Sequence, residues 1–99
     1  MNRIDSRTKN GIYFFHTESG SWYALRITGK KITLKRCPKD EKVLLRRDNE
    51  EIEVFSFEPI VIGETAVFEL EPLGIGDNTL RFTTKVIKII QSEQDNKIH

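Results

Sequence analysis

Apolar and polar residues alternate along most of this chain, and turn-forming residues break the alternation about every 8 to 12 positions. β-Branched and aromatic residues fill the alternating stretches, and no stretch keeps a helical period over three turns. The pattern predicts an all-β domain, a small barrel or two-sheet sandwich of six to eight short antiparallel strands. A first strand spans 12–17 and is closed by Glu18-Ser19-Gly20-Ser21, where glycine supplies the positive φ that a tight hairpin needs. A second spans 22–27, and a third, 32–36, follows the loop at 28–31. Keeping the apolar side chains on one face fixes the pairing: Ile27 opposite Ile32 and Leu25 opposite Leu34. The reverse face then carries Trp22, Ala24 and Arg26 opposite Cys37, Lys35 and Thr33.

Further strands are predicted over 42–46, 51–57, 60–62, 65–71 and 80–90, with a loop at 38–41, a turn at 47–50 and a glycine-rich loop at 72–78. Two of these strands change phase. Ile52 and Val54 share one face while Phe55 and Phe57 take the other, which predicts a bulge or a change of sheet near 54–55. In the last strand the apolar phase moves from Leu80 and Phe82 to Ile87 and Ile89, which predicts a bend near Thr83 and Thr84. Phe55, Phe57, Phe68 and Phe82 are expected to fill or line the interior, and a small-ligand cavity is one use for such a lining. Residues 1–10 read as a flexible N-terminal arm, 11–90 as a single β domain and 91–99 as a polar tail.

With 99 residues there is room for one domain and one small core. Hydrophobic residues make up 37% and charged residues 31%, the composition of a globular domain with a thin core. No segment approaches the ~20 apolar residues of a membrane-spanning helix, and the polar start lacks a signal-peptide pattern. The single Cys37 has no internal disulfide partner, which fits a reducing compartment; a cytoplasmic location without membrane association is expected.

Net charge is only +1, but it is unevenly distributed. Residues 26–47 hold nine Lys or Arg against two acids, whereas residues 48–80 hold nine acids and no Lys or Arg. Two opposed fields follow if the fold keeps these segments apart, one surface for an anionic partner and another for a cationic one or for a second copy. The basic candidate surface is Arg26, Lys30, Lys31, Lys35, Arg36, Arg46 and Arg47 with Trp22 as its aromatic anchor. The acidic candidate surface is Glu50, Glu51, Glu53 and Glu69.

No reaction signature is present. His16 is the one interior histidine, and its neighbours Glu18, Ser19 and Ser21 match no triad order. One Cys and two distant His cannot complete a zinc site, and Asp48, Glu50 and Glu51 lack the calcium-loop pattern. Gly74-Ile75-Gly76-Asp77-Asn78 precedes no helix, so it lacks the anion site of a nucleotide-binding loop. No catalytic residue, metal or cofactor is expected.

Two motifs carry a resemblance: Thr17-Glu18-Ser19-Gly20-Ser21-Trp22-Tyr23 early, and Arg81-Phe82-Thr83-Thr84-Lys85-Val86 late. With Leu45-Arg46-Arg47-Asp48-Asn49-Glu50 and Val61-Ile62-Gly63-Glu64 between them, the chain resembles a scattered group of small bacterial and phage β-proteins. In that group a T-x-S-G-S-x-Y hairpin precedes a terminal T-T-x-V strand, usually with proline where this chain has Lys85. The resemblance covers about residues 16 to 89 and brings no assigned activity. It implies a β fold, and read from the residues both motifs are turn and strand chemistry. The functional expectation is a binding module: protein interaction or self-association through the basic hairpin, as in a bacterial or phage inhibitor or adaptor. Single-stranded nucleic-acid binding by a small barrel is the alternative, and a small-ligand barrel is the second.

Overall fold

Six antiparallel strands close into a barrel in the order β2-β3-β4-β5-β7-β8, and two short strands, β1 and β6, pair beside it. The computed structural model describes residues 1–37, 50–72 and 76–91. Its strands are β1 (Arg3–Ile4), β2 (Gly11–Thr17), β3 (Trp22–Thr28), β4 (Lys31–Cys37), β5 (Ile52–Phe57), β6 (Ile60–Val61), β7 (Thr65–Leu70) and β8 (Thr79–Gln91). The all-β expectation holds, in its closed-barrel form. The strand expected at 42–46, the loop at 38–41, most of the turn at 47–50, the middle of the glycine-rich loop and the tail beyond Gln91 lie outside the described residues.

The first two hairpins follow the alternation. β3 pairs β4 with Leu25 opposite Leu34 and Ile27 opposite Ile32, and the reverse face places Trp22, Ala24 and Arg26 opposite Cys37, Lys35 and Thr33. The β2–β3 turn is tight: Thr17 N–H donates to Ser21 O at 3.0 Å and Gly20 N–H to Thr17 O at 2.9 Å. Gly20 takes φ 97°, a conformation that side-chain-bearing residues rarely adopt.

Closure falls to β5 and β8, the strands that turn the barrel's corners. β5 pairs β4 through Ile52 and Glu53, then pairs β7 through Val54, Ser56 and Phe57, with the register slipping at Phe55. β8 pairs β7 from Thr79 to Lys85 and β2 from Val86 to Gln91. It gains a residue twice: Thr83 and Thr84 together oppose Ala66, and Ile87 stands between the partners of Thr17 and His16. Bulges of this kind bend a strand and increase its twist, which a small barrel requires. Both predicted phase changes are therefore real bulges. At the first bulge of β8, the Thr83 hydroxyl accepts the Ala66 N–H at 2.9 Å and donates to Thr84 O at 2.6 Å, replacing part of the interrupted ladder.

Aromatic rings fill the interior. Phe15 stacks on Tyr23 at 4.9 Å and on Phe68 at 5.9 Å, so β2, β3 and β7 meet through one ring, and Phe57 tilts against Phe68 at 6.1 Å. Leu25, Leu34, Ile52, Val54, Leu70 and Val86 complete the packing. The four phenylalanines expected inside divide. Phe68 is fully buried and Phe57 half-buried, whereas Phe55 and Phe82 point outward. The cause is register: Phe68 faces inward and pairs with Arg81, so Arg81 and Thr83 turn in while Leu80 and Phe82 turn out.

The N-terminal arm, mobile or loosely docked by its composition, pairs with β6. Arg3 and Ile4 pair with Val61 and Ile60, and Ile4 and Ile60 are fully buried members of the core. A lone apolar residue in a polar stretch carries no period, so the alternation gave no sign of this docking. Asp5 then ties the segment down. It accepts from Arg3 Nε and from the Arg7 N–H, each at 2.9 Å, and these bonds hold its carboxyl below the usual aspartate value.

Ile4→Ala should lower unfolding stability by about 2–4 kcal/mol in chemical denaturation, the usual range for a fully buried isoleucine; a freely moving arm would leave it unchanged. Tyr13 gives a second test. Its ring is buried, its hydroxyl donates to Lys9 O at 2.7 Å, and burial raises its pKa above the ordinary 10.0. The unfolded chain ionises this phenol first, so its contribution is complete below pH 10.0 and is lost as pH rises towards the folded value. Tyr13→Phe should cost about 1 kcal/mol at neutral pH and weaken the alkaline fall in stability, measured by denaturation across that range.

Candidate functional site

Outward positions of β8, β2, β3 and β4 line up in cross-strand rows. One row runs Lys88, His16, Trp22, Cys37; the next Ile90, Phe14, Ala24, Lys35; a third Ile12, Arg26, Thr33 and, across on β5, Glu53. In the first row the His16 and Trp22 rings lie parallel, 2° apart, with centroids separated by 4.4 Å. Trp22 is half-buried by this stacking on the outer surface of the barrel, not by insertion into the core. Ala24, the smallest side chain of the second row, leaves a depression: a groove lined by Ile12, Phe14, Ala24, Arg26, Lys35 and Glu51. His16 and Phe14, left out of the basic surface read from sequence, are thus part of this face. Their alternation with buried Tyr13, Phe15 and Thr17 was the signal that could have placed them there.

The basic surface expected from the sequence is brought together only in part. Trp22, Arg26 and Lys35 share this face, and Lys30 and Lys31 are exposed at the β3–β4 hairpin tip. Arg36 does not join them. It alternates inward opposite Tyr23, is buried, and donates from Nη2 to Ser21 Oγ at 3.0 Å. A cation next to Lys35 in sequence must face the opposite side of the sheet. Arg46 and Arg47 lie outside the described residues.

The acidic surface is likewise divided. Glu51 accepts from Thr33 Oγ1 at 2.8 Å and lies 3.6 Å from Arg26 Nε, and Glu53 pairs with Thr33, so both border the cationic face. Glu69 is on the β5–β7–β8 face, held by Ser56 Oγ at 3.1 Å and Asn78 Nδ2 at 3.0 Å. Glu50 is exposed just before β5. The two fields suggested by the charge distribution along the chain are therefore not kept apart: β4 and β5 are adjacent, and part of each partly neutralises the other along a seam.

A second outward face is apolar. On the β5–β7–β8 side, Phe55 is 50% exposed, Leu80 60% and Phe82 65%. Leu80 pairs across from Glu69, Phe82 from half-buried Val67, and Phe55 occupies the β5 bulge beside Ser56, the other partner of Glu69. β8 also exposes Ile87, at its second bulge, and Ile90 beyond it.

Among the described residues no group of three or more His, Cys, Asp or Glu is placed to hold a metal ion, and no helix is long and apolar enough to cross a membrane. The two motifs behind the family resemblance meet in space. Glu18 N–H donates to Lys85 O at 2.9 Å and Ser19 N–H to Thr84 Oγ1 at 3.2 Å, so the early turn is bonded to the first bend of β8. No family model matches the chain, and neither a curated protein nor a solved structure matches it.

Inward and outward cations should separate cleanly on substitution. Arg36→Ala, which removes a packed stem and a buried bond to Ser21, should cost about 2–3 kcal/mol of stability. Lys35→Ala should stay within about 0.5 kcal/mol. Urea denaturation of the two variants checks the assignment.

Proposed function

We propose that this chain is a non-catalytic protein-binding module whose contact surface is the outward side of β5–β7–β8 around Phe55, Leu80 and Phe82. The observation that carries the reading is the exposure of these three large apolar side chains on β5 and β8, the two strands that flank β7, on one sheet face. Contiguous exposed apolar surface is costly to leave in water and marks contact sites on small proteins. Glu69, fixed between Ser56 and Asn78, supplies an oriented carboxylate within the patch, a specific polar contact amid apolar area.

This moves the expected protein contact away from the basic hairpin. Among its described residues Arg36 turns inward, Arg26 lies beside Glu51, and Lys30 and Lys31 are exposed at the hairpin tip, apart from Lys35. Addition of a partner strand to an open sheet edge, one route considered for such a scaffold, is closed to the barrel strands by the β2–β8 pairing. Side-chain contact on a sheet face remains, in a bacterial or phage inhibitor or adaptor of cytoplasmic location, with half-buried Cys37 as a free thiol.

Leu80→Ser combined with Phe82→Ser should preserve the circular dichroism spectrum and weaken partner binding by about tenfold or more. Affinity capture from nuclease-treated extract, followed by titration of the captured protein and by light scattering for a second copy, measures this. Undiminished capture and unchanged oligomeric state in the double variant would remove this face from the function.

A further inference from the structure

We propose that the other outward face, on β2–β3–β4 and the last residues of β8, is a stacking platform for single-stranded nucleic acid. The geometry carries three requirements of such a site together. An aromatic surface is held on the outside of the barrel, because Trp22 and His16 stack in parallel across β3 and β2 and so fix each other's orientation without entering the core. Cations flank the rings: Lys88 is the cross-strand partner of His16, and Lys35 pairs with Ala24 in the neighbouring row. A depression at Ala24, walled by Phe14 and Lys35 and rimmed by the Arg26–Glu51 pair, gives a second base a place beside the first.

The charge pattern selects the ligand and its path. None of the outward residues on β2, β3, β4 or the β2-paired end of β8 is acidic, so a phosphate backbone meets lysine there; the carboxylates that reach this face come from the β5 side, Glu51 at the rim of the Ala24 groove and Glu53 beside Thr33. On that side Glu51, engaged by Thr33 and Arg26, repels the backbone. A strand then runs across the face from Lys88 on β8 to Lys35 on β4 and stops short of β5. Duplex bases keep their π-faces covered by their own stack, whereas single-stranded bases offer them; a ring platform with flanking lysines therefore fits a single strand, with little preference among bases. This face lies on different strands from the apolar contact surface proposed above, apart from the shared strand β8, and either assignment can fail without the other.

Trp22 is the chain's one tryptophan, so its emission reports on this face alone. Titration of the whole protein with a mixed-sequence single-stranded oligonucleotide should quench it. The logarithm of the affinity should fall with the logarithm of salt at a slope of about −1.4, as expected for two phosphate contacts through Lys35 and Lys88. Trp22→Ala, followed by anisotropy of a labelled oligonucleotide, should weaken binding by about fivefold or more, and Trp22→Phe should restore part of it. Lys35→Glu with Lys88→Glu should abolish binding, and as exposed or half-exposed substitutions they leave the interior untouched. Unquenched emission at low salt, or binding that ignores the lysine reversals, overturns the proposal. So does emission that changes with protein concentration alone, which would make the face a contact between copies.

Discussion

The barrel depends on two strands that change direction without ending. Six strands make a cylinder too narrow for straight ribbons, so the sheet must bend sharply where it passes from one side to the other. β5 bends at Phe55, and β8 bends at Thr83–Thr84 and again at Ile87. Each bend interrupts the backbone ladder, and an uncompensated buried N–H is expensive. Thr83 answers this at Ala66 with its own hydroxyl. The bends also decide which residues face outward. Beyond Phe55 the side-chain phase of β5 reverses, and across the two bulges of β8 the buried positions fall at Arg81, Thr83, Val86 and Ile89. The apolar face thus arises from the same geometric demand that closes the cylinder, whereas the aromatic face on β2 and β3 follows from unbroken alternation.

Legibility in the sequence follows where the pattern is unambiguous. The β3–β4 pairing could be read because Leu25, Ile27, Ile32 and Leu34 have polar neighbours on both sides and allow only one sensible register. The phase changes near Phe55 and Thr83 were visible as broken alternation. The bulge at Ile87 was not, because Val86-Ile87 and Ile89-Ile90 are apolar in both phases and either member of each pair could have been buried. Arg36 and Arg81 ran against pattern reading, since charged residues are assigned outside unless something holds them in. Inward pairing opposite Tyr23 and Phe68 fixes their direction, and register is a tertiary property that no local window contains.

Charge was informative along the chain and misleading in space. A basic segment followed by an acidic one looks like two poles, but antiparallel topology folds the acidic β5 beside the basic β4. What survives on the surface is a border, with Glu51 joining Thr33 and Arg26 across it. Among the described residues, Lys88 of β8 joins Lys35 on the outward face from a part of the sequence that the linear partition did not include.

The meeting of the early turn with the β8 bend has a consequence for how the molecule comes into being. Ser19 and Thr84, joined by a hydrogen bond, are 65 residues apart. The β2–β3–β4 meander can assemble from local contacts as soon as those residues exist, yet its β2 edge has no partner until the last strand arrives. Closure is therefore a long-range event, of the sort that slows folding and leaves a strand edge open meanwhile. During synthesis the half-built meander emerges with that edge bare. β2 holds no lysine or arginine, so until β8 arrives that edge has no charge of its own to discourage a neighbouring nascent chain from taking the place reserved for the last strand.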